Sequence, residues 1–300
     1  MERLTLTNGE LEIVIVPSSG GAITEASFKG EQFMARPPRQ AIEPVPLGGE
    51  ADWVRAWNGG WQPLLPNAGT EYLDGKFPQG FHGNASQAKW RVEDVTSNEV
   101  LLSWNDEELQ SYRSITLSSD QIMVSGRLVN LSIEPRLFSL TEHLIFGDSL
   151  LTSDVKLQIN SQAQFMELGY DGTTNGAHFE PWLEIARSDW SSVNRSTPAR
   201  LGLLKDVGPT GVTVIGENLE VRVTWDTENL PYLWVWEEMG STQSEPWGGE
   251  YFCLGIEPST AAHGAGLGES LKTERVNILP PRERFHWWVA LTVGSTGTEE

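Results

Sequence analysis

The sequence predicts an all-β protein of many antiparallel strands, and three observations carry that expectation. Gly 30 and Pro 17 punctuate short apolar runs throughout the chain. Within those runs, side-chain character alternates with the two-residue period of a strand. No long segment repeats at helical spacing. The same texture continues from end to end, so a single domain over 1–300 is expected.

Taken in order, residues 3–7 and 11–16 read as a hairpin about Asn8-Gly9, a dipeptide suited to tight turns. Short strands follow at 22–28 and 31–35. Residues 36–50, rich in Pro and Gly, read as a surface loop. Residues 53–69 hold three Trp, three Gly and two Pro. Their Pro residues argue against a regular helix and against a central strand. An ordered loop lined by tryptophan is expected there, with Trp61 as a stacking surface. Strands then run over 90–95, 99–104, 109–118, 121–131 and 136–146. Residues 151–165 read as a strand pair, and 167–190 as an irregular excursion bearing His178. Strands resume at 200–204, 211–215, 219–225 and 230–237. On the last of these, Tyr232, Trp234 and Trp236 share a face. Core is the first reading for that stripe and a stacking platform the second. A loop with Trp247 leads to the strand 251–257. The Gly-rich run after it, 263–268, introduces no obvious helix. Final strands are expected near 270–277 and 283–293, with 294–300 as a frayed end.

Composition narrows the function. Lys+Arg 21 against Asp+Glu 41 gives a formal net charge of −20, spread along the chain. Such a surface repels phosphate backbones and anionic lipid, so neither nucleic acid nor membrane is an expected partner. No Lys/Arg cluster offers a pocket for an anionic substrate either. Cys253 is the only cysteine, which rules out an intramolecular disulfide and fits a reducing compartment. The first residues lack a signal-peptide core, and no run approaches the length of a membrane span. A cytoplasmic protein is expected. HExxH, CxxC, P-loop and GxSxG patterns are absent, and the Gly-rich run does not fit a dinucleotide fingerprint. No cofactor or metal is expected.

Two strands carry the chemistry. In Tyr251-Phe-Cys-Leu-Gly-Ile-Glu257-Pro-Ser-Thr260, alternation puts Phe252, Leu254 and Ile256 on one apolar face. Tyr251, Cys253, Gly255 and Glu257 take the other, which is small or polar and ends in a carboxylate. A solvent-facing Glu at a strand terminus is the plainer alternative, because charged residues are mostly exposed. In Arg136–Phe146, one face carries Phe138, Leu140, Leu144 and Phe146, interrupted by Glu142. The other carries Ser139, Thr141, His143 and Ile145. That second face suits a polar cleft, although a lone His is more often structural. With His82 before Gly83, these residues form an acid–base set for moving protons on a neutral hydroxylated substrate.

In this order the motifs resemble the aldose 1-epimerase (galactose mutarotase) family. His82-Gly83 followed by Trp90 is similar to that family's His-Gly…Trp segment. Glu142-His143-Leu-Ile-Phe146 is similar to its His-Pro-Tyr-Phe strand, with Leu144 replacing Pro. Ile256-Glu257-Pro258 is close to its Glu-Pro motif. The resemblance implies a β-supersandwich with a concave substrate cleft. It implies Glu257 as the base on the anomeric hydroxyl, His143 as the acid at the ring oxygen, and His82 as a substrate-binding residue. The family's substrate-binding Arg has no match; the region before His82 offers Gln62 and Asn67, with Arg55 further back. Its substrate-binding Asp has none either, Asp206 and Asp226 being the nearest options. Gln62, Asn67, Trp61, Trp234 and Trp247 therefore stand as expected sugar contacts. A carbohydrate-binding protein without turnover, or an epimerase acting away from C1, are the alternatives.

Overall fold

The computed structural model describes residues 2–152, 154–185, 190–195 and 197–297. Two large sheets face each other, and every paired ladder between strands is antiparallel. Among the described residues, one sheet has eleven strands and the other nine. Four central strands of the larger sheet build the site. In spatial order they are Trp61–Leu64, Thr141–Phe146, Phe252–Ser259 and Tyr232–Met239. The smaller sheet centres on Arg284–Ser295, flanked by Leu219–Trp225 and Gln121–Asn130.

Alternation explains the layering. Leu144, Phe146, Leu254 and Ile256 point toward the smaller sheet and join Trp287, Val289 and Leu291 in the main core. Their neighbours Ile145 and Cys253 point to the opposite face. There they pack with Trp234, Leu201, Leu203 and the short helix Glu50–Ala56 in a second cluster. The larger sheet is thus covered on both sides, and the site lies on the face away from its partner sheet.

The hairpin about Asn8-Gly9 forms as expected, from Leu4–Thr7 and Leu11–Val16. The strands expected over 90–131 also form. Several other expectations need correction. Residues 50–56 are helical, with Glu50 and Asp52 in the first turn and Arg55 in the last. Those charges complement the helix dipole. Trp61–Leu64 is a central strand despite Pro63, because its neighbour Ala22–Phe28 pairs with it only at Ile23↔Trp61. Pro63 lies past the end of that ladder, where its missing N–H leaves no bond broken.

The expected strand 31–35 shrinks to Glu31–Gln32. The expected strand 136–146 is broken into Arg136–Phe138 and Thr141–Phe146. Val155–Ile159 and Gln164–Leu168 do not pair with each other, for they belong to different sheets. Gly266–Lys272 is a helix where none was expected, and of the strand near 270–277 only Asn277–Leu279 forms. The last strand reaches Ser295. Residues 186–189 of the expected excursion and 298–300 of the expected frayed end lie outside the described residues.

Candidate active site

Strand register assembles the centre of the site. Thr141 pairs with Ser259 and Leu144 with Ile256, which sets His143 directly opposite Glu257. On the far sides, Gln62 pairs with His143 and Trp234 with Glu257. Directly opposed residues share a face, with Cβ atoms roughly 4.5–5.5 Å apart. Gln62, His143, Glu257 and Trp234 therefore form one row across four strands. Both His143 and Glu257 line a cavity of about 180 Å³. A single water needs at least roughly 10–15 Å³ of such space, so the cavity has room for several waters or for a small ligand on the scale of one sugar ring.

Glu257 is 2 % exposed. No described residue gives it a hydrogen bond or an ion pair. Burial without a partner pushes its carboxyl well above the usual carboxylate range. Gly255 makes the seat for that carboxyl. A Cβ on Gly255 would lie 2.3 Å from Glu257 Oε1, so any larger residue would displace it. His143 is also buried, and its Nδ1 has no protein partner. Burial lowers its imidazole to about 3.

His82 enters from the loop before Gly83. Its backbone φ is +61°, an unusual value for a non-glycine residue. Gly69 holds it twice: the His82 N–H donates to Gly69 O, and the Gly69 N–H donates to His82 Nδ1 at 3.0 Å. With Nδ1 accepting, the neutral ring carries its proton on Nε2, which leaves Nε2–H as a donor. Burial, and then the neighbouring His143, hold His82 well below the usual imidazole range. The two imidazole centroids are 5.6 Å apart.

Aromatic residues close the space around this row. Trp53 and Trp57 lie four apart on the helix Glu50–Ala56 and its C-cap, so both reach the same side. Trp53 stands edge-on to His82 at 4.7 Å and to His143 at 5.5 Å. Trp57 is 6.1 Å from His143. Trp234, Trp236, Trp247 and Phe81 also line the cavity. The stripe 232–236, read first as core, is therefore largely a cleft wall, because its strand presents that face away from the partner sheet. Tyr170, Asp171 and Gly172 complete the opposite side. Their turn is pinned where the Gly264 N–H donates to Gly172 O at 2.9 Å. Gly172 has φ +79°, and a Cβ on it would come within 2.3 Å of the Gly264 backbone, which explains the glycine there.

Of the residues expected at the site, Glu257, His143, His82, Trp234 and Trp247 line one cavity. Three do not, and these are corrections. Trp61 pairs with Leu144 and so shares its face, toward the inter-sheet core; it is 0 % exposed. Gln62 is on the cleft face but covered, its amide donating to Ser86 O at 2.9 Å. Asn67 is a loop fastener. Its amide donates to the carbonyls of Thr70, Gly80 and Gly69, and its Oδ1 accepts from the Leu267 N–H. Sequence reasoning missed Glu50, Tyr170 and Asp171 on the cavity wall, and left Trp53 and Trp57 without a role. The 53/57 spacing, with acids before it and Arg55 within it, was the available signal for the helix. Nothing local marks Asp171, which long-range packing of two glycine turns brings in.

Among the described residues, no cluster of His, Cys, Asp and Glu is arranged to hold a metal ion, and no helix is long and apolar enough to cross a membrane. The family model described as "Domain of unknown function (DUF4432)" matches residues 1–293. No curated protein sequence matches the chain. Solved structures do match its fold. A galactose mutarotase related enzyme from Lactobacillus acidophilus superposes with a TM-score of 0.70 at 19% identity, covering 99% of both chains. A galactose mutarotase-like protein from Lactobacillus casei ATCC 334 gives 0.71 at 16%, covering 98% of this chain and 100% of the other. Galactose 1-epimerase from Lactobacillus acidophilus NCFM gives 0.64 at 15%, covering 98% and 94%. The fold is galactose mutarotase-like.

Proposed function

The chain belongs to the DUF4432 family, and on its galactose mutarotase-like scaffold we propose an isomerase that interconverts the α and β anomers of a free sugar. One observation carries the reading: Glu257 and His143 oppose each other on adjacent strands, without partners among the described residues, in one cavity on the scale of a sugar ring. Mutarotation needs one proton removed from the anomeric hydroxyl and one delivered to the ring oxygen. The C1–O5 bond then breaks, the open-chain carbonyl rotates, and the ring recloses on either face.

The pair supplies both transfers. In the empty cleft, burial favours the two neutral forms, so the single shared proton rests on Glu257. Sugar hydroxyls donating to Glu257 favour its carboxylate, which shifts the proton to His143. The carboxylate then accepts the anomeric proton, and the imidazolium donates to the ring oxygen. Reclosure returns both protons, so the pair is regenerated. His82 Nε2–H donates to a sugar oxygen and fixes the ring. The aromatic walls exclude water and pack on the apolar sugar faces.

Magnetisation-transfer NMR on a panel of unphosphorylated sugars tests this. Acceleration of anomer exchange, lost in Glu257→Gln, is the expected result. Sugars that bind without any acceleration would leave a binding protein in place of an enzyme.

A further inference from the structure

The cavity wall is one-sided in charge. Among the described residues lining it, the acids are Glu50, Asp171 and Glu257, and neither Lys nor Arg is present. Its broad surfaces are indoles. One corner brings these features together. Trp236 and Trp247 stand 5.5 Å apart there. Glu50 is close enough to receive a hydrogen bond from Trp247 and to act on the Tyr170 hydroxyl by its charge. Asp171 follows Tyr170 in the chain; its Oδ1 accepts from the Thr173 N–H and hydroxyl, and it has no basic partner among the described residues, so its charge and its Oδ2 remain available.

Glu50 has no basic partner among the described residues. It has a like-charged neighbour instead, since the Glu71 carboxyl lies 3.7 Å from where a Gly49 Cβ would be. The Glu50 carboxyl is raised by burial; the nearby Trp247 indole opposes that rise and the Glu71 charge adds to it. A cation in this corner would meet unneutralised carboxylates and indole faces, both of which attract it. A phosphate or uronate there would be repelled by the carboxylates, with no Lys or Arg on the wall to offset them. Independently, the buried and unpartnered Glu257 carboxyl marks the same cavity as built for a ligand.

We infer that the cleft selects a monosaccharide bearing a protonated amine, with the ammonium held by Glu50 and Asp171 beside the Trp236 and Trp247 rings. This rests on the sugar-isomerase reading above and names its substrate class. The ammonium is the specificity handle, and the Glu257–His143 pair acts on the ring at the other end of the row.

Titration by intrinsic tryptophan fluorescence tests it without relying on turnover. The probes are glucosamine and galactosamine, their neutral parents glucose and galactose, N-acetylglucosamine, and glucose 6-phosphate. An amine sugar is expected to bind about tenfold or more tighter than its neutral parent at low salt, a difference of one decade in Kd. That advantage should shrink as salt rises. Glucose 6-phosphate should bind more weakly than glucose. Glu50→Gln, and separately Asp171→Asn, should each lower the amine-to-neutral ratio. Amine sugars that bind no tighter than their neutral or N-acetylated counterparts would overturn the inference while leaving the isomerase reading intact. Tight amine binding without anomer exchange would do the reverse.

Discussion

Two carboxyl groups on neighbouring strands of one sheet, Glu142 and Glu257, meet opposite fates. Glu142 is 0 % exposed and Glu257 2 %, so burial does not separate them. Partners do. Glu142 points between the sheets. There Arg113 Nη1 donates to both its oxygens at 2.6 and 2.7 Å, and the indoles of Trp61 and Trp287 each donate at 2.7 Å. Arg113 belongs to Leu109–Ser118 of the smaller sheet, so the cluster ties the two layers together. Glu257 points into the cleft, and no described residue bonds to it. A buried carboxyl with four hydrogen bonds from three donors is a structural part. One with none has its bonding capacity left for a substrate, at a cost to stability.

The contrast is open to direct attack. The largest effect is expected for Glu257→Gln. Anomer exchange should fall by roughly 10²–10⁴, the usual contribution of a placed proton-transfer group. Its effect on stability should have the opposite sign. The folded state holds the Glu257 carboxyl above its ordinary value, so it binds more protons than the unfolded chain. That group's contribution therefore worsens as pH rises from about 4.5 toward the folded value. Gln removes the titration, so thermal melts at neutral pH should show a midpoint no lower than that of the native protein.

Glu142→Gln should do the reverse. Leaving Arg113 buried without its counter-ion should cost about 3–5 kcal/mol in urea unfolding. The double variant Glu142→Leu/Arg113→Met should recover much of that loss, because it removes both charges. A smaller change is expected for Trp61→Phe. Loss of one donor to a charged group should cost roughly 1.5–3 kcal/mol. Sugar affinity should not move, since Trp61 lies on the face away from the cleft. The smallest effect on the fold is expected for Gly255→Ala. The new methyl displaces the flexible end of Glu257 and crowds Ile145 Cδ1, 3.1 Å away. Stability should fall by about 1 kcal/mol, the low end for an inserted methyl, while misplacement of the carboxyl lowers kcat about tenfold or more.

The sequence made one of these carboxyls legible and left the other obscure, for a physical reason. Alternation within Tyr251–Thr260 is local, so it assigns Glu257 a face without knowledge of any partner. The same alternation put Glu142 on an apolar face, where it read as an interruption. Its meaning lies in Arg113 on the other sheet, a contact that no local pattern encodes. The misreading of Trp61 has the same origin. Its neighbours suggested a loop, whereas pairing with Leu144 makes it core. For Trp234 and Trp236 both readings, core and platform, stayed open in the sequence, since a stripe on a strand does not say which face of the sheet is covered; Trp234 is buried and lines the cavity as well. Strand positions survived best where turns such as Asn8-Gly9 set them locally. The helices at 50–56 and 266–272 were hidden by their shortness and by adjacent glycines.

In the proposed mechanism, Glu257 and His143 together hold one working proton. The most direct measurement is the pH dependence of kcat/KM for anomer exchange by NMR on a sugar that binds. The account predicts a plateau through neutrality with two limbs. The acid limb appears as His143, lowered to about 3, takes a second proton. The alkaline limb appears as Glu257, raised by burial, loses the shared one. Glu257→Gln should abolish the alkaline limb along with most of the rate. A bound sugar whose anomers exchange no faster than in buffer at any pH would contradict the account. So would full activity in Glu257→Gln.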